Sequence, residues 1–233
     1  MLFQSLAPLP LPPSIDLRCG DIRDTLTTRG AALIHADPPW GYSDGMWAMI
    51  GAKGAAIGGN GGIDGSHGNQ YDCSGDADIA TILDAAYDCA APGARLVCWA
   101  TWPKLLEFLS AGGAGKRWQY VTGGAWLKER QVGVGYHWRG QTEPVLVFVK
   151  RGAPAQPNRD RLLLNGYASV PEEHSRKPLP WLRGMVGAWT PPGGLVLDLW
   201  AGLAPMAGAC KLEGRRYVGA EIDRERWEMA CTI

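Results

Sequence analysis

The chain has 233 residues, 46% of them hydrophobic, which is enough for one α/β domain with a full core and short for two. Basic and acidic residues number 23 each, so a net charge of zero excludes a general electrostatic attraction to nucleic acid. Residues 113–183 nevertheless carry twelve lysines and arginines against five acids. This uneven distribution favours a polyanion on one face, or it marks an ordinary solvated surface.

The cysteines and histidines give no sign of a metal site. The six cysteines contain no C-x-x-C pair and are separate in sequence from the four histidines, so we expect reduced thiols and no zinc. Residues 1–13 lack the features of a secretory signal, and no stretch approaches the length of a membrane span. A cytoplasmic protein is expected.

The first predicted elements lead to a stiff acidic loop. Residues 15–18 are predicted to form a strand, residues 21–28 a helix and residues 31–34 a second strand. This strand leads into Asp37-Pro38-Pro39-Trp40, where the prolines cannot continue a ladder and restrict the backbone. A carboxylate, rigid carbonyls and an indole in one loop can hold and stack on a planar amino-bearing ring. A plain strand-ending turn is the alternative.

Residues 41–75 contain eleven glycines and no apolar periodicity, which predicts a mobile lid over the site or a disordered segment. A helix is predicted to follow from residue 76 and to end at Pro92-Gly93, because its apolar residues recur at helical spacing. Residues 95–100 are almost wholly apolar, as in a parallel strand buried on both faces. A helix over residues 102–109 completes this part.

Strands are predicted at residues 120–126 and 144–149, with a glycine-rich loop at residues 133–140 between them. Tyr136 and Arg139 in that loop suit stacking on a base, or equally the capping of a core. Residues 153–167 form a polar interval that contains Arg159 and Arg161. These four residues are the candidate nucleic-acid contacts.

Residues 173–178, Glu-His-Ser-Arg-Lys-Pro, stand ahead of a helix predicted over residues 179–189. Polar side chains there can hold a ligand's carboxylate or adenine, or can cap the helix in solvent.

The C-terminal stretch predicts a nucleoside site. An apolar strand ends in Asp198, Gly202 permits close approach of a ligand, and Pro205 can start a helix. A second strand ends in Glu221, 23 positions after Asp198, near the spacing of a ribose-binding acid. The absence of G-x-G-x-x-G disfavours a dinucleotide and hence a nicotinamide oxidoreductase. A nucleoside without phosphates fits better, and S-adenosylmethionine is a common one.

Four blocks of this sequence, taken together, resemble the Asp-Pro-Pro-Trp adenine methyltransferases. That family includes eukaryotic messenger-RNA adenine-N6 methyltransferases and many bacterial and phage DNA adenine methyltransferases. The blocks are residues 37–40, residues 133–143, residues 173–178 and residues 198–221. The last block follows the catalytic block, as in the permuted bacterial DNA amino-methyltransferases.

The resemblance implies a Rossmann-like class I methyltransferase fold in one domain over residues 1–233, with a mixed seven-stranded sheet, helices on both faces and permuted motifs. It implies S-adenosylmethionine as cofactor and direct in-line methyl transfer to the exocyclic amine of adenine in DNA. The catalytic residues would be Asp37, Pro38, Pro39 and Trp40. Those around the cofactor would be Asp37, Ser175, Lys177, Asp198, Trp200, Gly202 and Glu221. A base in a duplex would have to flip out.

Two departures from the family pattern bear on function. Leu203-Ala204-Pro205 replaces a small residue and a second glycine, so that the Ala204 side chain could crowd the cofactor. Residues 151–171 are too few for a large target-recognition domain. A catalytically silent relative that binds nucleic acid or a partner subunit, a cytosine-N4 enzyme and an RNA substrate are the alternatives. A phage or restriction-modification setting is expected, and a homodimer is left open.

Overall fold

The structure is a computed structural model that describes residues 12–38, 76–102, 105, 109, 117–128, 141–150 and 177–232. Side chains of the helix that begins at Asp76 are described from Ile79 onward. The predictions for the loops at residues 41–75 and 133–140 and for the polar interval at residues 153–167 lie outside these residues.

Seven strands form one sheet with the order β1-β7-β6-β2-β3-β5-β4. The strands are β1 (Ile15–Cys19), β2 (Ala31–Ala36), β3 (Ala90–Trp99), β4 (Trp118–Leu127), β5 (Thr142–Lys150), β6 (Leu195–Asp198) and β7 (Arg216–Glu221). The first five in this order pair in parallel, and β5 is antiparallel to both β3 and β4. The predicted mixed seven-stranded sheet is confirmed.

Helices lie on both faces of the sheet. They are α1 (Asp76–Cys89), α2 (Leu179–Trp189), α3 (Pro205–Glu213) and α4 (Arg224–Ala230). Successive residues of the central strands, such as Leu33 and Ile34, belong to two different apolar clusters, because neighbouring side chains of a strand point to opposite faces. One cluster includes α1, and the other includes α2 and α3. The predicted Rossmann-like architecture, a mixed sheet with helices on both faces, is therefore confirmed. No helix within the described ranges is long and apolar enough to cross a membrane.

Two predicted helix boundaries were wrong. The helix expected at residues 21–28 is a single 3₁₀ turn, Ile22–Thr25, capped by the Asp21 side chain, and Gly30 in a left-handed conformation leads directly into β2. Helix α1 ends at Cys89, before Pro92-Gly93. The Lys150 ammonium binds the carbonyls of Tyr87 and Ala90 at 3.0 and 2.6 Å, where α1 gives way to β3. Pro92 and Gly93 lie instead in a bulge of β3, where the pairing with β2 shifts register.

Candidate active site

The carboxyl ends of three parallel strands bring the predicted acids to one edge of the sheet. Asp37 follows β2, Asp198 ends β6 and Glu221 ends β7. Strands β2 and β6 are adjacent, with His35 opposite Asp198, although β6 comes much later in the chain. The strand order reverses between these two strands, and ligands of open α/β sheets bind at such a switch point. The sheet therefore places Asp37 beside the predicted nucleoside unit.

Asp37 forms an ion pair with Lys177. The Lys177 ammonium nitrogen lies 2.8 Å from Oδ2 of Asp37, with side-chain exposures of 5% and 30%. Lys177 precedes α2, and its ammonium also lies over the indole rings of Trp99 and Trp126, at 4.9 and 5.9 Å from their centroids. Burial alone lowers the pKa of Lys177, but Asp37 and Glu143 outweigh burial and hold that pKa above its ordinary value. The lysine is thus a fixed positive charge at neutral pH, and the partly exposed carboxylate keeps room to accept a donor.

A second carboxylate extends this cluster. Oε2 of Glu143, on β5, lies 3.2 Å from the Lys177 ammonium nitrogen, and Oε1 pairs with the ammonium of Lys128. Acid and base therefore alternate in the order Asp37, Lys177, Glu143, Lys128. The formal charges balance, which makes the burial of Lys177 tolerable.

The cofactor-binding half is built around Glu221. Its Oε2 accepts a hydrogen bond from the Gly202 N–H at 2.8 Å, and its Oε1 accepts one from the Asp223 N–H at 2.9 Å. These bonds fix the carboxylate at the strand end, while unused acceptor positions remain for two hydroxyl groups. Ile222, the next residue, is 67% exposed. The half-buried Trp200 packs against the apolar cluster that contains α1.

Asp198 occupies a different place from Glu221. It is fully buried, and its two oxygens are bound inside the protein, by His35 Nδ1 at 2.8 Å and by the Tyr217 hydroxyl at 3.0 Å. The Asp198 side chain therefore lies inside the protein, whereas Trp200, Gly202 and Glu221 lie at the carboxyl edge of the sheet. A direct contact between Asp198 and the cofactor remains a prediction.

The turn after β6 shows where the Ala204 side chain goes. Gly202 and Ala204 both have left-handed backbones, with φ of 55° and 50°. Ala204 is completely buried and belongs to the apolar cluster of α2 and α3. In contrast, no atom lies within 4 Å of the position that a Cβ on Gly202 would take. The methyl group of Ala204 therefore faces the core, and the open approach is at Gly202.

The structure brings together several of the predicted residues and adds others. Asp37, Pro38, Lys177, Trp200, Gly202 and Glu221 converge on one edge, while Pro39, Trp40, Tyr136, Arg139, Arg159, Arg161 and Ser175 lie outside the described residues. Sequence reasoning missed the roles of His35, Trp99, Lys128 and Tyr217, and it named Glu143 only within a motif. These residues lie on five strands or their flanks, and only the strand order shows that they meet.

This arrangement defines the class of protein. The chain has a Rossmann-like methyltransferase fold, with a polar site at the switch point of the sheet. Residues 165–231 match the N6/N4 methyltransferase family model, described as DNA methylase. The match covers two of the four blocks that carry the resemblance, residues 173–178 and 198–221, and it agrees with that resemblance at the level of the N6/N4 DNA methylases. A search of curated protein sequences gives no significant match.

Solved structures share the fold at low sequence identity. The M1.HpyAVI complex with SAM has a TM-score of 0.64 at 15% identity and covers 94% of this chain and 100% of its own. TTHA0409 from Thermus thermophilus, complexed with S-adenosyl-L-methionine, has a TM-score of 0.64 at 19% identity, with coverages of 92% and 90%. PvuII DNA methyltransferase, described as cytosine-N4-specific, has a TM-score of 0.64 at 12% identity, with coverages of 95% and 88%. The similarity extends over nearly the whole chain.

Proposed function

We propose that this protein is an S-adenosylmethionine-dependent DNA methyltransferase that methylates the exocyclic N6 amine of adenine. The observation that carries the proposal is the Asp37 carboxylate, held by Lys177 at the switch point beside the turn that joins Gly202 to Glu221. The family-model match and the fold support a DNA methylase of the N6/N4 type.

The residues of the cofactor half fit S-adenosylmethionine. The open space beside Gly202 admits a ligand close to the backbone. Glu221 can accept hydrogen bonds from two ribose hydroxyls, and the exposed Ile222 offers an apolar surface to a ring. Two of the structural neighbours were crystallised with this cofactor. When bound, it supplies a methyl group on a positively charged sulfonium.

Asp37 positions the accepting amine. In this proposal one N–H of the amine donates to the Asp37 carboxylate and the other donates to the Pro38 carbonyl. These bonds orient the nitrogen lone pair away from the protein and towards the methyl carbon. With the cofactor bound, the amine would take the methyl group as the carbon–sulfur bond breaks, and the cofactor would leave as a neutral thioether. The proton lost by the amine would pass through the Asp37 carboxylate to water. No covalent enzyme intermediate is required, because positioning and electrostatics carry the catalysis.

Lys177 has a supporting role in this scheme. Its fixed charge anchors one oxygen of Asp37, so the carboxylate presents a defined edge to the amine. Glu143, on β5, holds the Lys177 ammonium in place, and Glu143 is itself paired with Lys128. We infer that Trp40 stacks on the base and that Tyr136, Arg139, Arg159 and Arg161 contact DNA, with the target base flipped out of a duplex.

Cytosine-N4 methylation is the second candidate, since a cytosine-N4-specific enzyme is among the structural neighbours. Aspartate before Pro-Pro, where a serine would favour cytosine, is our reason to prefer adenine. A catalytically silent relative loses its main support, because the Ala204 methyl group is directed into the core. We further propose that residues 1–233 form a single methyltransferase domain. Its biological setting would be phage DNA methylation or restriction-modification.

The experiment incubates the purified protein with labelled S-adenosylmethionine and unmethylated DNA, digests the DNA to nucleosides and identifies the methylated nucleoside by mass spectrometry. N6-methyladenosine as the deoxynucleoside supports the proposal. N4-methylcytosine would favour the second candidate, and label found only in a parallel incubation with RNA would exclude DNA as substrate. No product, together with no cofactor binding by calorimetry, would overturn the enzyme assignment.

A further inference from the structure

A buried polar chain connects the two halves of the site. The indole nitrogen of Trp99 lies 2.9 Å from His35 Nε2, and His35 Nδ1 lies 2.8 Å from Oδ1 of Asp198. His35 is 2% exposed, Trp99 1% and Asp198 0%. The Tyr217 hydroxyl completes the chain by donating to the other oxygen of Asp198. This chain crosses four neighbouring strands beneath the carboxyl edge of the sheet.

The partners of His35 determine which nitrogen carries its proton. An indole N–H can only donate, so Nε2 of His35 must accept and must be unprotonated. A carboxylate facing Nδ1 then requires the proton to be on Nδ1. His35 is consequently a neutral imidazole that accepts from Trp99 and donates to Asp198.

The orientation of Trp99 matters because its ring supports Lys177. The ammonium of Lys177 lies 4.9 Å from the centroid of that ring and binds Asp37 and Glu143. Trp99 also packs edge to face against Trp181, with centroids 4.7 Å apart. Fixing the indole by its N–H therefore fixes the surface against which the lysine rests.

We propose that His35 is a positioning residue that couples the cofactor half of the site to the Asp37 cluster. It links Asp198, at the start of the cofactor turn, through Trp99 to Lys177 and thus to the carboxylate that receives the amine. An apolar residue of similar volume would leave the Trp99 N–H and one oxygen of Asp198 without these partners, at a cost in stability and in placement. The catalytic part of this inference rests on the proposed function.

The first test is structural and independent of activity. Nitrogen-15 NMR of the imidazoles, with His35 assigned by its loss in His35→Asn, should show a protonated Nδ1 and an unprotonated Nε2. The Lys177 side-chain resonance, assigned by Lys177→Met, should shift in His35→Asn, whereas that of Lys150 should not. A proton on Nε2, or an unchanged Lys177 resonance, would overturn the proposal even if the protein proved inactive.

The second test measures turnover. Asparagine at position 35 can still donate to Asp198, but its amide is too short to place an acceptor where Nε2 of His35 meets Trp99, and Trp99→Phe removes the donor. His35→Asn should lower kcat for methyl transfer about tenfold or more while leaving the cofactor Kd within about twofold. In the Trp99→Phe background, the same change should have little further effect. Additive effects, an unchanged kcat, or equal loss of kcat and folded fraction would contradict positioning. A wild type without methyl transfer would instead refute the proposed function and leave the NMR result to decide the coupling.

Discussion

The Lys177 ammonium nitrogen lies 2.8 Å from Oδ2 of Asp37, so residues from two separate sequence motifs form one ion pair at the switch point of the sheet. Lys177 was predicted to contact the cofactor. The structure shows that it binds the Asp37 carboxylate, and its contact with the cofactor stays a prediction. The motif at residues 37–40 and the motif at residues 173–178 are therefore joined by this ion pair.

Replacing Lys177 with methionine should destabilise the protein and abolish methyl transfer. The substitution leaves the carboxylates of Asp37 and Glu143 close together without their common cation, and removing one partner of a buried ion pair costs about 3–5 kcal/mol. Chemical denaturation gives the change in unfolding free energy. Lys211→Met, at an exposed lysine of α3, is the matched control and should change it by less than about 0.5 kcal/mol. Equal stabilities of the two variants would show that the ion pair is not a structural element.

Stability should fall at alkaline pH. Burial raises the pKa of the Cys98 and Cys210 thiols, and burial together with Asp198 raises that of Tyr217. The pKa of Lys177 is raised as well, against its burial, by Asp37 and Glu143. Because all four groups hold their proton more tightly when folded, they stabilise fully below their ordinary pKa values. That contribution is lost as the pH rises beyond about 9, at up to about 1.4 kcal/mol per pH unit for each group.

Tyr217→Phe isolates one of these groups. It should lower stability at pH 7 by about 1–3 kcal/mol, because one oxygen of Asp198 loses its donor. It should also flatten the decline of stability above pH 10, where tyrosine in the unfolded chain ionises. Denaturation midpoints measured between pH 7 and 11 test both effects. An alkaline slope as steep as that of the wild type would show that Tyr217 does not contribute to it.

Local sequence signals predicted the strands and most of the helices. They failed where contacts with a neighbouring element determine the local structure. Apolar runs gave β6 and β7, and Pro205 marked the start of α3 as the structure has it. Pro92 and Gly93 predicted the end of a helix. In the structure both residues lie in a bulge of β3, which already pairs with β2 at Ala90. A local signal could not show that outcome.

The sequence predicted only those residues of the candidate site whose role can be inferred from their neighbours in the chain. Asp37 and Gly202 follow strands and Glu221 ends one, and the chemistry of all three can be inferred from adjacent residues. His35 and Trp99 look like ordinary core residues in the sequence. Their functions depend on the partners that strand order places beside them, namely Asp198 and Lys177.

Substitutions at the two left-handed residues after β6 should differ in their effect on cofactor binding. Gly202→Ala adds a methyl group in the open space assigned to the cofactor, and its backbone strain costs about 1–2 kcal/mol. It should weaken S-adenosylmethionine binding measured by calorimetry. Ala204→Gly removes the same type of strain and a buried methyl group, so stability should change by less than about 1 kcal/mol. Its cofactor Kd should match that of the wild type. Tighter binding in Ala204→Gly would show that this side chain crowds the ligand.

Gly219 should tolerate no side chain. Tyr217 extends along β7 over Gly219 to reach Asp198, which pairs with Gly219 in the neighbouring strand. A Cβ on Gly219 would overlap the Tyr217 hydroxyl and lie 2.6 Å from its Cζ. Gly219→Ala should therefore destabilise the protein by about 3 kcal/mol, from overpacking and a lost hydrogen bond.

Gly187 in α2 provides the contrast. A Cβ there meets only Oε2 of Glu213, at an ordinary 3.6 Å. Gly187→Ala should stabilise the protein by about 0.5–1 kcal/mol through helix propensity. Thermal or urea denaturation of both variants measures the difference. Similar effects of the two substitutions would refute the close packing of Tyr217 on Gly219.

The most direct test of the account compares Asp37→Ala with the wild type at saturating S-adenosylmethionine, with methylated nucleosides measured by mass spectrometry and cofactor Kd by calorimetry. Asp88→Ala, at the exposed end of α1, is the control. We predict that Asp37→Ala lowers methyl transfer to adenine by about 10²–10³-fold or more while cofactor binding weakens only moderately. Turnover in Asp37→Ala equal to that of Asp88→Ala would contradict the assignment of Asp37 as the group that positions the amine.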